Sequence, residues 1–460
     1  MNATTSAAMT IGAVRHALDG RRLVWFGIRG EDGEALLAFP ELEASYSVIA
    51  PLRSGKVGAS ANVTLEGISG VRPDLDRFDI DRDAGEAMGA FRESLLRDLS
   101  GRCVVVPYRP SALVSALGFS MSDTMTIAGM LKDRQQAFEH KPWVERSLNA
   151  RGVRGPGWQY VADEHRSRAK RLLAAGPLIL RVSRSSGGVG IALVAEEEEI
   201  DRLWPRQADA FVAVAPFLAN AVPVNFSGCV FSNGMVRLHP PSVQLIGIES
   251  CTDRAFGFCG NDFGAVAALG DAVLQQLDAM GRVIGAWLHS ERYLGAFGVD
   301  ALVHEGQCYF TEVNARFQGS STPSAEIAAE LGVSDLFVDH LAANLGVSVP
   351  VNEISLSAWA RRQPPRSQVI VHNTGDAQTC RDEEMPLDLR SAKVRISQLP
   401  HGVAVAPGGS LGRLTLDRSV TSTGFELDAE VERLIDKLRA VYPPVASTQP
   451  KDANLAAVEL

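Results

Sequence analysis

GVDALVHEGQCYFTEVNARFQGSS, from Gly298 to Ser321, alternates apolar and polar residues on both sides of a His304-Glu305-Gly306 turn. That alternation is the period of a half-buried strand, and the turn joins two strands, Gly295–Leu302 and Gln307–Val313, into a hairpin. Residues two apart on a strand project from one face, so Glu312 and Asn314 point the same way. The turn folds Asp300 back beside them. All three side chains carry hard oxygen donors, and three such donors on one face suit Mg²⁺, which keeps room for phosphate oxygens and water. Arg316 continues the parity and would bring a guanidinium to the same phosphates. An exposed polar hairpin face would show the same spacing, so the hairpin alone does not decide between the two.

Working upstream, PLILRVSR (Pro177–Arg184) reads as a strand, followed by Ser185-Ser186-Gly187-Gly188-Val189-Gly190 and a second strand, Ile191–Ala195. Small residues let backbone N–H groups approach a polyphosphate, and Arg181 adds a cation just ahead of the loop. No Gly-Lys-Ser/Thr follows and no helix begins there, so this is not a Walker A loop; taken by itself, a flexible hairpin turn explains it as well. The run Glu196–Glu199 reads as the solvated cap of the next helix. Phe211–Leu218 and Val222–Phe231 read as strands with a Ser232-Asn233-Gly234 hairpin turn, and helices are expected over Gly264–Leu288 and Ser324–Leu345.

At the N-terminus, residues 1–20 are polar and Ala-rich and are expected to fray. RRLVWFGIRG (Arg21–Gly30) and CVVVPYRP (from Cys103) read as strands, with a helical stretch at Ala87–Leu99 between them. This alternation predicts a small α/β domain over 1–122. It lacks a Gly-x-Gly-x-x-Gly loop and so carries no dinucleotide signature. A helix is expected over Ser122–Ala137, with a turn-rich break at Gly152–Gly157. From Val351 onward, short strands (QVIVHNTG, KVRISQLP, GVAVAPGGSLGRLTL) and a helix at Asp428–Val441 predict an α+β extension, and 446–460 is expected to be a disordered tail. The fold class is therefore α/β and α+β, in units of 1–122, 123–205, 206–346 and 347–445 plus the tail.

Composition sets outer bounds. The 460 residues are 46% hydrophobic and 22% charged, as in an ordinary globular protein. A net charge of −9 argues against nucleic-acid or anionic-membrane partners, which demand a basic excess. The six cysteines form no Cys-x-x-Cys pair and read as small buried residues of a reducing compartment. Met1–Arg15 lacks a signal-peptide apolar core and no stretch approaches 18 apolar residues, so a cytoplasmic location is the default expectation.

Together and in this order, the pieces resemble the ATP-grasp superfamily, over about 120–345. Its members carry an acidic residue and then, about a dozen residues on, Glu-x-Asn-x-Arg; here these are Asp300, Glu312, Asn314 and Arg316. RVSRSSGGVGIALV is similar to the family's glycine loop, and Lys132 in LKDR matches its phosphate-contacting lysine. Ala215-Pro216-Phe217-Leu218 matches the adenine hinge. The 1–122 unit resembles the α/β domain that precedes many ATP-grasp cores, and the C-terminal extension looks like the lid of an amino-acid or peptide ligase. Two departures stand out: Arg181 replaces the usual lysine, and Ala215 replaces the usual glutamate. Lys141, His239 and Gln244 are further candidates near the nucleotide, although surface or turn roles are the plainer account of each.

The resemblance implies ATP and Mg²⁺ as cofactors, two ions held by Asp300, Glu312 and Asn314, with Mn²⁺ as a substitute. The glycine loop (Ser185 to Gly188), Lys132 and Arg181 would cradle the polyphosphate, and Arg316 would steady the reacting groups. The implied reaction activates a substrate carboxylate as an acylphosphate and joins it to an amine, releasing ADP and phosphate. The implied partners are small carboxylates and amines, a peptide among them. Carboxylation of biotin or a similar acceptor, or a nucleotide-binding scaffold without turnover, are the alternatives. Dimerisation is common in the superfamily, but no exposed stripe here shows it. Ser320-Ser321-Thr322 would line the acceptor pocket or cap a helix.

Overall fold

The computed structural model describes residues 3–52, 61–185, 187–205, 211–350, 353–381, 394–399 and 402–445. The expected disordered tail at 446–460 and the Ser186 position lie outside these residues.

The N-terminal unit is a five-stranded parallel sheet with Arg22–Arg29 at its centre. Leu42–Ile49 and then Ala61–Thr64 lie on one side of that strand, and Cys103–Pro107 and then Met125–Ile127 on the other. Successive residues of the central strand serve opposite cores. Val24 and Phe26 pack with Phe91 and Leu95 of the helix Glu86–Asp98. Leu23 and Trp25 pack with Leu18 of the helix Ala3–Leu18 and with Phe337 of Leu336–Asn344. Both faces are covered, which is why RLVWFGIR reads as a nearly unbroken apolar run rather than an alternating one.

Three local expectations change here. Where fraying was expected, the described residues form the helix Ala3–Leu18, with Val14 and Leu18 fully buried on it. The helix expected over Ser122–Ala137 is instead the strand Met125–Ile127 and a short helix, Lys132–Phe138. Thr126 and Ile127 complete the parallel sheet, and Gly129 at φ +156° prevents helix continuity. The sheet thus runs past residue 122. The helix expected over Ser324–Leu345 is two helices, Ser321–Glu330 and Leu336–Asn344, separated at Gly332 in the left-handed region.

A four-stranded antiparallel sheet follows, in the order Gln159–Ala162, Phe211–Pro216, Leu178–Arg181, Ile191–Val194. Ala169, Ile200 and Trp204 cover one face of it. The helix Glu197–Leu203 opens with a capping box between Glu196 and Glu199, in line with the acidic run read as a cap.

The largest sheet has nine strands and is antiparallel. It runs from the hairpin Gln307–Asn314 and Gly295–His304 through Val222–Val230, Ser242–Ile246 and Phe258–Asp262 to the C-terminal strands Ser367–His372, Ser410–Leu416 and Val394–Gln398; Val236–Leu238 pairs with Val222–Val230. The helix Asp271–Ser290 lies against the hairpin half, burying Leu277, Ile284 and Trp287. The extension after residue 350 is made of strands and a helix, Ala429–Ala440, as read from the sequence, and its strands continue this sheet. A small three-stranded sheet then ties the two ends of the chain together: Ala404–Val405 pairs with Thr379–Cys380 and, in parallel, with Val71–Arg72.

Beneath the sheet, Asp339 is fully buried between Arg237 (2.6 Å), His239 (3.2 Å) and the Ser334 hydroxyl (2.7 Å). The adjacent guanidinium outweighs the cost of burial and holds the Asp339 carboxyl below its ordinary value. No helix among the described residues is long and apolar enough to cross a membrane.

Candidate functional site

The three units meet around one cavity of about 630 Å³, within the range of small-molecule sites. The hairpin delivers its polar face to it. Asp300 pairs in register with Glu312, and Gly298 with Asn314, while Val299, Ala301 and Val313 turn into the core. The register slips between Asp300 and Ala301, so Thr311 is an extra residue on its strand. Such a bulge re-aims side chains, and Thr311 and Glu312 both line the cavity as a result.

Around Asp300 the donors are in place. Gln244 Nε2 donates to one carboxylate oxygen at 3.1 Å and Asn314 Nδ2 to the other at 3.2 Å. Burial, and then the negative charge of Glu312, push the Asp300 carboxyl up to about 7. Two carboxylates and an amide oxygen on one wall form a hard, anionic donor set that suits Mg²⁺ and leaves coordination positions for phosphate and water. Lys141 Nζ sits 3.0 Å from Glu312 and 3.2 Å from the Ser185 carbonyl oxygen, so it connects the hairpin to the glycine loop.

Of the positions read from the sequence, Asp300, Glu312, Asn314, Arg316, Arg181, Ser185, Gly187, Gly188 and Ala215 to Leu218 all line this cavity. Arg316 lies beyond the strand end, after a turn closed by its own N–H on the Asn314 carbonyl (2.7 Å). Lys132 is not among the lining residues. The strand at 125–127 shifts its helix, placing the Lys132 ammonium 3.5 Å from Asp81 and its backbone N–H on the Ser115 hydroxyl. Lys141, opening the next helix, Lys141–Asn149, lines the cavity instead. Of the remaining candidates, Gln244 reaches the site, whereas His239 is buried against Asp339. Ser320 accepts from Asn225 Nδ2 at 3.0 Å in a buried network under the hairpin, and it caps no helix with its side chain.

Arg181 is not a free cation. It is buried, ion-paired with Glu145, stacked 3.8 Å over the Trp158 ring and bonded to the Thr311 carbonyl at 3.1 Å. Lysine has no planar face for that stack, so the exchange Arg181→Lys is not conservative here. In the segment expected to be the adenine hinge, Ala215 pairs with Ile179, and the Phe217 N–H is committed to the Pro177 carbonyl at 2.9 Å.

The glycine loop closes down on its neighbours. Gly188 is in the left-handed region at φ +76°, and a Cβ there would overlap the Phe256 carbonyl oxygen; one on Gly187 would overlap the Asp76 carboxylate. Arg254, ion-paired with both Asp74 and Asp76, fixes that seat. Gly188→Ala therefore holds the loop off its seat, and if the cavity takes ATP, as the sequence resemblance implies, the affinity should fall by about tenfold or more, by analogy with the ~1–3 kcal/mol of strain stored at such positions. Nucleotide titration by calorimetry, with thermal unfolding as control, measures this.

No family model and no curated protein matches the sequence. Solved structures do. Biotin carboxylase from Campylobacter jejuni, in complex with β,γ-ATP, aligns with a TM-score of 0.59 at 14% identity, over 87% of this chain and 89% of that one. The biotin carboxylase domain dimer of 2-oxoglutarate carboxylase from Hydrogenobacter thermophilus, with MgADP and bicarbonate, aligns with a TM-score of 0.60 at 14% identity, over 92% and 90%. Carboxyaminoimidazole ribonucleotide synthase from Aspergillus clavatus, complexed with ATP, aligns with a TM-score of 0.58 at 15% identity, over 92% and 99%. With its preceding parallel sheet, its loop-bearing antiparallel sheet and its hairpin wall, the chain has the ATP-grasp fold.

Proposed function

We propose that the chain is an ATP-dependent ligase that activates a substrate carboxylate as an acylphosphate and joins it to an amine. One observation carries this reading. Asp300, Glu312 and Asn314 face the glycine loop across a single cavity, and Lys141 bridges the two sides. In this reading Asp300, Glu312 and Asn314 would hold Mg²⁺, which when bound offsets the negative charge of the β- and γ-phosphates. Lys141, Arg181 and the N–H groups of the glycine loop position the polyphosphate.

A substrate carboxylate oxygen attacks the γ-phosphorus in line, forming the acyl–phosphate bond as the bond to ADP breaks. Arg316, at the cavity wall, holds the carboxylate and steadies the charge on the transferring phosphoryl group. An amine nitrogen then attacks the carbonyl carbon; the C–N bond forms, phosphate leaves, and the amine proton is released. The chain's residues orient and neutralise, and no protein nucleophile is required. Small amino acids or peptides are the proposed substrates, with dimerisation and a cytoplasmic setting as accompanying proposals.

A second reading, carboxylation through bicarbonate, is favoured by the similarity to carboxylases over nearly the full length of both chains. One assay separates the readings: ADP release with mixed amino acids, with and without bicarbonate, followed by hydroxylamine trapping. Hydroxamate formed from an added carboxylic acid supports the ligase. Turnover only with bicarbonate supports the carboxylase. Tight ATP binding with no ADP under any condition supports a scaffold, the outcome that Arg181 and Ala215 keep open.

A further inference from the structure

The strand order of the N-terminal sheet reverses between Arg22–Arg29 and Cys103–Pro107. In open parallel sheets, the crevice outside the carboxyl ends of the strands at such a reversal is where ligands bind. Arg29, Tyr108 and Arg109 stand at those ends, and all three line the cavity.

The charges at this end are unevenly matched. Arg29 is held by both oxygens of Asp32, at 3.0 and 3.1 Å, and Arg413 is paired with Glu31. Arg109 makes no ion pair among the described residues and donates to the Phe78 carbonyl at 3.1 Å. Asp79 and Glu139 act on it only at longer range, while burial and the neighbouring Arg316 lower its pKa. Arg316 has Glu139 as its carboxylate neighbour, at 3.8 Å. Both guanidiniums are half-buried on the cavity wall. Arg316 also has the Asp300 charge near it, whereas Arg109 has no carboxylate partner among the described residues, so an anion arriving at this end meets an uncompensated cation. Beside them the wall turns apolar, with Ile28, Ile49, Leu52 and Leu75.

Building on the ligase reading, we propose that this crevice is the seat of the second substrate, and that it takes a small acceptor whose anionic group rests on Arg109 and Arg316 while an apolar body lies against Ile28, Ile49, Leu52 and Leu75. Carboxylate and phosphate head groups share this chemistry. Arg316 then serves the reacting end and the acceptor together, which places the amine of the acceptor toward the hairpin.

The test is calorimetric titration of the full chain, in the presence of MgADP, with leucine, leucinamide and isopentyl phosphate. One of the two anionic probes should bind at least tenfold more tightly than leucinamide, and which one does so identifies the head group. Arg109→Met should erase that preference and Arg109→Lys should keep part of it, with MgADP affinity within twofold of wild type in both. The proposal is overturned if leucinamide binds as well as both anions, if no probe binds while MgADP does, or if Arg109→Met leaves the preference intact. Absence of MgADP binding to the wild-type chain would instead remove the ligase reading underneath.

Discussion

Glu312→Gln should lower ADP formation by about 10³-fold or more while leaving the fold intact. The substitution keeps the size of the side chain but removes a formal charge from a wall whose purpose, in the proposed reaction, is to hold Mg²⁺. It also removes the counter-charge of Lys141, whose side chain is only 8% exposed and whose ammonium lies 3.0 Å away. Loss of preorganised electrostatics of this kind costs two to three orders of magnitude in enzymes where single donors have been removed, and here a metal ligand and an ion pair go together. The check is steady-state ADP release beside a thermal unfolding scan. Near-normal turnover in a folded variant would remove the metal assignment of this hairpin.

Asp339→Ala should destabilise the protein by about 3–5 kcal/mol, the cost of leaving a buried charge without its partner. Arg237 and His239 are both buried, and Asp339 is the acid they share. No cavity-lining residue is touched, so nucleotide affinity per folded molecule should stay the same. Urea unfolding followed by tryptophan fluorescence gives the difference in midpoint. Replacing Arg237 and Asp339 together by apolar residues of similar volume should recover part of the loss, because the stranded guanidinium goes as well. Equal stability of wild type and Asp339→Ala would mean that the cluster is hydrated and contributes little.

Much of this arrangement is legible in the chain because it follows from period. Alternation marked the hairpin, and the two-residue spacing of Glu312 and Asn314 placed them on one face. The glycine loop between two apolar runs was equally plain. What escaped was whatever depends on tertiary context. Lys132 and Lys141 each begin a helix, and nothing local says which faces the loop; the strand at Met125–Ile127, won by pairing with Cys103–Pro107, decides it. Arg109 follows a buried strand in the sequence, but its role rests on a strand order that no local pattern encodes. The bulge at Thr311 was likewise invisible, since inserting one residue disturbs the alternation no more than an ordinary irregularity does. The Ala3–Leu18 stretch looked too polar and Ala-rich to pack, because the Leu336–Asn344 helix that receives Val14 and Leu18 lies more than 300 residues downstream.

The pairing of Val71–Arg72 with Ala404–Val405 has a bearing on biogenesis. It joins an early segment of the polypeptide to a much later one, so this edge stays open on the ribosome until Ala404–Val405 has been translated. A product stopped short of Ala404 would carry Arg72, buried in the finished molecule, beside an uncovered strand. Nascent chains at that stage are the ones a chaperone should capture, and C-terminal truncation is expected to cause aggregation rather than merely lost activity.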